Sequence, residues 1–171
     1  MAKPENKKGF NIGDPLLQID KILNEISKYK LGSIGYSFHH IKNLKPIFAF
    51  DYLSLKEGNL CFNSKGLTVE DYKGFLEGLR KISDTSYQTL HDTKNYRFHK
   101  IDFDDNRISI TRKDFKAILS NKPDQLKDEE LPTLYQFDLQ YVQAARVCGF
   151  LFKGVFYLVW YDRNHIIYPR N

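Results

Sequence analysis

The chain has 171 residues, of which 42% are hydrophobic and 15% aromatic, and it carries a formal charge of +5. That length suits one domain with a core of its own, and the apolar share excludes wholesale disorder. The modest basic excess is compatible with nucleic acid or another anionic partner without demanding one.

Cys61 and Cys148 stand in apolar, strand-like surroundings and have no metal-ligand spacing. They read as two reduced, buried thiols, and no zinc or other cofactor is expected. The polar opening lacks the apolar core of a signal peptide. The stretch Val147 to Tyr161 is too short, and too broken at Lys153-Gly154, to cross a bilayer as a helix. The expectation is a cytoplasmic protein with no membrane partner.

In chain order, residues 1–13 read as a flexible tail and 14–171 as a single domain. Asp14-Pro15 offers a helix cap and a first-turn proline. Leu16, Ile19, Leu23, Ile26 and Tyr29 then form one apolar stripe, and Gly32 stops it. Two aromatic segments, Ser33 to Ile41 and Pro46 to Leu55, read as strands, with a shorter strand around Cys61. Thr68 with Asp71 resembles a capping box, opening a helix whose buried face is Tyr72, Phe75, Leu76, Leu79 and Ile82. A shorter helix beginning at Asp84 or Thr85 runs through Leu90.

Tyr96 to Phe103 and Arg107 to Ile110 predict two strands around an Asp104-Asp105-Asn106 turn. Thr111 caps a helix ending at Leu119, before Asn121-Lys122-Pro123. Lys122 to Pro132 carries four acids and two lysines and reads as a solvated loop. Leu131 to Val142 is strand-like.

The ending is the most informative part. With Lys153-Gly154 as a two-residue turn, Phe152 faces Val155, Phe150 faces Tyr157, and the pairing runs back to Arg146 opposite Tyr161. In that register Leu151, Phe156, Leu158, Val147 and Trp160 share one face. Phe152, Val155, Phe150, Tyr157, Cys148 and Val159 share the other. Both faces are apolar, so the hairpin belongs in the middle of a sheet covered on both sides. Asp162-Arg163-Asn164 then turns the chain, and His165 begins a last short strand, on which alternation separates it from Tyr168. The fold expected is α+β, a central antiparallel sheet of about five to seven strands with helices packed on it.

There is no glycine-rich phosphate loop and no Gly-x-Ser-x-Gly elbow. The residue types best support metal-independent RNA cleavage, which needs a base, an acid and a cation for the phosphorane. The candidates are Arg97, His99, Arg146, His165 and Tyr168. Arg97 and His99 share a face by alternation, and histidine titrates near neutrality. Adjacent His39 and His40 must point to opposite sides of a strand, and His91 suits the negative end of a helix.

The sequence RVCGFLF-KG-VFYLVWYDRNHIIYP resembles the ending of a group of short bacterial proteins without assigned activity. PIFAFDYLSL and FLEGLRKISDTSYQTLHD resemble that group's earlier strand and helix, except that Tyr87 stands where the group has Trp. The resemblance spans Pro46 to Pro169 and implies no activity. A looser architectural likeness is to the RelE/ParE-type toxins, whose last hairpin carries Arg, His or Tyr. The functional expectation is a toxin-like ribonuclease of a bacterial mobile-element or defence system, with RNA or an antitoxin-like protein as partner. His165→Ala or Arg146→Ala should then relieve growth arrest without loss of folding. The alternative is a non-catalytic binding or regulatory module for a protein or nucleic acid. The oligomeric state is left open.

Overall fold

A computed structural model describes residues 41–56, 60–62, 66–139 and 145–169. The predicted tail, the first amphipathic helix and the His39-His40 pair lie outside the described residues. Within them, five strands form one sheet: β1 (Ile47–Ala49), β2 (His99–Lys100), β3 (Leu134–Asp138), β4 (Arg146–Phe152) and β5 (Val155–Asp162). Their order across the sheet is β1-β5-β4-β3-β2. Three helices accompany it: α1 (Val69–Ser83), α2 (Tyr87–Asp92) and α3 (Arg112–Leu119).

The hairpin β4–β5 forms as its sequence predicts. Lys153 and Gly154 both adopt positive φ, 50° and 83°, the conformation that a tight hairpin turn requires. Pairing follows the expected register from Phe152 opposite Val155 to Gly149 opposite Leu158. A bulge between Cys148 and Gly149 then shifts it, so that Cys148 meets Trp160 and Arg146 meets Asp162 rather than Tyr161. The extra residue corrects the expected faces. Val147, Leu151, Phe156, Leu158 and Tyr161 pack in one layer, while Cys148, Phe150, Val159 and Trp160 pack in the other. Gly149 sits at this irregularity because a Cβ there would collide with the Tyr157 carbonyl and the Phe156 ring.

Both faces of the hairpin are covered. On one, α1 contributes Phe75, Leu79 and Ile82 and α2 contributes Tyr87 and Leu90. On the other, Phe115 of α3 joins Ile101, Ile110 and Ile167. Phe75, Phe115, Phe156 and Trp160 are each at most 5% exposed, and burial of such a side chain contributes about 1.5–3 kcal/mol. Both long helices begin with complete capping boxes, Thr68 with Asp71 and Thr111 with Asp114. The second helix starts at Tyr87, two or three residues later than expected, with Ser86 as its cap. Cys61 and Cys148 are both buried, as expected, although Cys61 lies in a turn and not a strand.

Other expectations need correction. The sheet is mixed, because β1 runs parallel to β5; hydrophobic alternation marks a strand but carries no information on its direction. The first strand is three residues long and gives way to a turn in which Leu53 N–H donates to Phe50 O. Beyond it, Ser54 N–H bonds to Val159 O at the bulge. The segment Tyr96 to Phe103 yields only the two-residue β2, and Arg107 to Ile110 forms no strand. The residues after Asp162 form no strand either: the Asp162 carboxylate accepts from the amides of Ile166 and Ile167, which folds the chain back on itself.

Candidate functional site

The apolar layer that contains Leu134 changes character along β3. Leu134, Gln136 and Asp138 alternate onto one face, so its far end is polar while its near end is core. Opposite Asp138 on β4 stands Arg146, and opposite Gln136 on β2 stands His99. A cleft of about 670 Å³ opens over this end of the sheet, lined by Arg97, His99, Arg107, Gln136, Arg146, Tyr168 and Pro169.

Arg97 arrives there by a route that strand alternation does not describe. It closes a 3₁₀ turn, Lys94–Tyr96, in the left-handed conformation (φ 47°, ψ 39°). Its carbonyl accepts from His99 Nδ1 at 2.7 Å, and its guanidinium Nε lies 3.6 Å from Asp138 Oδ2. Arg146 Nε reaches the other oxygen of Asp138 at 3.2 Å, and Arg146 Nη1 donates to Tyr168 O at 2.9 Å. Asp138 and Arg146 are each 4% exposed. Burial pushes the Asp138 carboxyl above the usual range, and the attraction of Arg146, Arg97 and His165 offsets only part of that.

Tyr168 forms the opposite wall. Its ring meets the His99 imidazole edge-on, with centroids 5.9 Å apart, and the Arg107 guanidinium lies 5.8 Å from its centre. Arg107 is held by a two-pronged pair with Asp105, closest at 2.6 Å. Burial raises the Tyr168 phenol above its ordinary value, with the Asp105 and Asp102 charges adding to it; a backbone hydrogen bond from Asp102 and the Arg107 charge act the other way.

Four of the five sequence candidates, Arg97, His99, Arg146 and Tyr168, therefore share one cleft. His165 does not line it. It is buried at 8% exposure with φ 56°, close enough to Asp138 to act on that carboxylate. Tyr168 lines the cleft and His165 is not among its lining residues, and the backbone between them follows the Asp162 turn and not a strand. Three lining residues, Arg107, Gln136 and Pro169, stand outside the sequence candidates. Arg107 belongs to a base-rich stretch but falls in a turn, where nothing local marks it. Gln136 carries a usable signal, a polar residue two places before Asp138 inside an otherwise apolar strand.

No family model, no curated protein and no solved structure matches the chain. The site must be read from its own chemistry.

Among the described residues no group of His, Cys, Asp and Glu could hold a metal ion, and no helix is long and apolar enough to cross a membrane. Burial lifts the Cys148 thiol well above its ordinary value, which disfavours the thiolate. The cleft instead offers three guanidiniums, one imidazole and one phenol around a space open to solvent. Such a set has donors of the kind an oxyanion accepts from and groups that can exchange protons. Each guanidinium is also paired with Asp138 or Asp105.

Proposed function

We propose that this protein is a metal-independent ribonuclease of the toxin-like kind, acting on single-stranded RNA in the cleft between β2, β3 and Tyr168. The observation that carries the reading is the convergence of Arg97, Arg107, His99 and Tyr168 on one open space. His99 Nδ1 donates to Arg97 O, which leaves Nε2 with the lone pair. Nε2 takes the proton of a ribose 2′-hydroxyl, and O2′ attacks the adjacent phosphorus. The P–O5′ bond breaks as the Tyr168 phenol delivers a proton to O5′. Arg97 and Arg107 steady the negative charge of the phosphorane. The products are a 2′,3′-cyclic phosphate and a 5′-hydroxyl. The Tyr168 phenol carries its proton at neutral pH, and burial, which raises it further, leaves the charge building on O5′ to draw that proton across.

Arg146 serves this chemistry from beneath: it ties the Asp138 carboxylate to the Tyr168 backbone. Tyr168 also offers a face on which an unpaired base can stack. The test is incubation of the purified full chain with single-stranded RNA in excess chelator. The expected result is cyclic-phosphate ends that are lost in His99→Ala, together with growth arrest on expression that the same substitution relieves.

A binding-only module is the second reading. It draws on the occupation of His99 Nε2, which lies 3.1 Å from the Gln136 amide nitrogen. It predicts salt-sensitive RNA binding with no cleavage and no arrest.

A further inference from the structure

The contact between His99 Nε2 and Gln136 Nε2 joins two nitrogens at 3.1 Å, so one of them must donate and the other accept. His99 Nδ1–H is committed to the Arg97 carbonyl at 2.7 Å. In the neutral ring Nε2 is then the acceptor, and the Gln136 amide donates to it. This leaves the other end of the amide stranded: Gln136 Oε1 is buried without a hydrogen-bond partner, in a residue 1% exposed. A buried acceptor left unmade is costly, and a native site that keeps one invites a reason.

We propose that Gln136 is the positioning residue of this cleft: its amide fixes which nitrogen of His99 is basic, then turns over to receive the proton which that nitrogen takes up. The inference rests on His99 being the base, but its test needs no cleavage. In the resting cleft the amide NH2 marks Nε2 as the lone-pair nitrogen. A ribose hydroxyl entering the cleft replaces that NH2 at Nε2. Once the proton has crossed, Nε2–H is a donor and can no longer face an NH2. Half a turn about the last side-chain torsion brings Oε1 to it. The stranded acceptor gains a charge-assisted bond, roughly twice as strong as the neutral one it replaces. The NH2 turns into the buried position that Oε1 leaves, which offsets part of that gain.

The surroundings make that acceptor matter. The guanidiniums of Arg97, Arg107 and Arg146 share the cleft and oppose a further positive charge. The Asp138 carboxylate is engaged by Arg97 and Arg146, and the Tyr168 ring meets the imidazole edge-on. Gln136 Oε1 is the acceptor on the strand position directly opposite His99.

The measurement is an NMR titration of the full-length protein labelled with nitrogen-15 in histidine and glutamine, without RNA. Neutral His99 should show a pyrrole-type Nδ1 and a pyridine-type Nε2. As the ring gains its proton, the Gln136 side-chain NH2 should shift with the same midpoint, and in His99→Ala that shift should vanish. In Gln136→Leu the ring should take its proton at lower pH than in the unsubstituted protein. Gln136→Glu, which keeps the shape and supplies a permanent acceptor, should move it the other way. The opposite tautomer, a Gln136 amide blind to the titration of His99, or an unmoved midpoint in folded Gln136→Leu would each overturn the proposal. The first two readings use unsubstituted protein, so a variant that fails to fold does not shield the idea. Joint titration without RNA cleavage would sink the ribonuclease reading and leave this one standing.

Discussion

Arg146 and Asp138 stand directly opposite each other on β4 and β3, joined at 3.2 Å, with both side chains almost wholly buried. A buried ion pair adds little net stability, but breaking it from one side leaves a charge with no water and a weakened partner. Arg146→Ala should therefore destabilise the fold by about 3–5 kcal/mol, read as a lower urea midpoint. Arg146→Ala with Asp138→Asn should recover a substantial part of that. The expectation from sequence, that Arg146→Ala removes function and spares folding, does not suit a residue so placed. His99 and Arg107, both exposed, are the cleaner probes of the cleft.

Arg107 lines the cleft beside the Tyr168 ring, and its exposed side chain also pairs with Asp105. Arg107→Ala should leave thermal stability unchanged while weakening RNA binding at low salt. The slope of log K against log salt should fall by about 0.7 for each single-strand phosphate that the side chain no longer neutralises. An unchanged slope would place the RNA backbone elsewhere.

Asp71 ties the start of α1 to the far end of the sheet. Its carboxylate accepts from Thr68 N–H and the Thr68 hydroxyl, both at 2.8 Å, and from Arg163 Nε at 2.5 Å. Burial alone would raise its pKa, but the Thr68 bonds and Arg163 outweigh that and hold the carboxyl below the usual range. The unfolded chain thus binds this proton more readily than the folded one. The contribution of Asp71 is complete above the ordinary aspartate range, near pH 4, and is lost as pH falls through the folded value. Asp71→Asn should lower stability at neutral pH and flatten the acid limb of the stability curve below about pH 4. Denaturant midpoints measured across that range decide it.

Gly149→Ala should be among the most damaging small substitutions. The added methyl meets the Tyr157 carbonyl and the Phe156 ring, and neither can retreat from the middle of the sheet. A loss of about 1–3 kcal/mol or more is expected in a urea melt.

The sequence carries the centre of the fold well and its margins poorly. Two aromatic runs around Lys153-Gly154 specify a hairpin, its turn and its burial on both faces, since each is a local or period-two property. The bulge is not legible, because the clash that makes Gly149 necessary involves Phe156 and Tyr157 on the partner strand. The parallel pairing of β1 is not legible for a similar reason: a strand reads the same in either direction.

Within the site, alternation pairs Arg97 and His99 for the wrong reason. They meet because Arg97 turns left-handed and lends its carbonyl to the ring, a feature of backbone geometry that alternation does not encode. A histidine after a turn looks available, which overvalues His165, whereas the Asp162 carboxylate curls the segment inward. Gln136 and Asp138 are written plainly as polar residues at alternate places in a buried strand, and that pattern points to the cleft.

The sharpest check on the ribonuclease reading is the action of purified protein on a single-stranded RNA in excess chelator, beside His99→Ala and Tyr168→Phe. A cleft that works as proposed should give 2′,3′-cyclic phosphate ends, a loss of about 10²–10⁴-fold in rate for each variant, and RNA binding retained in both. RNA left intact by the unsubstituted protein, or cut equally well by His99→Ala, would contradict it.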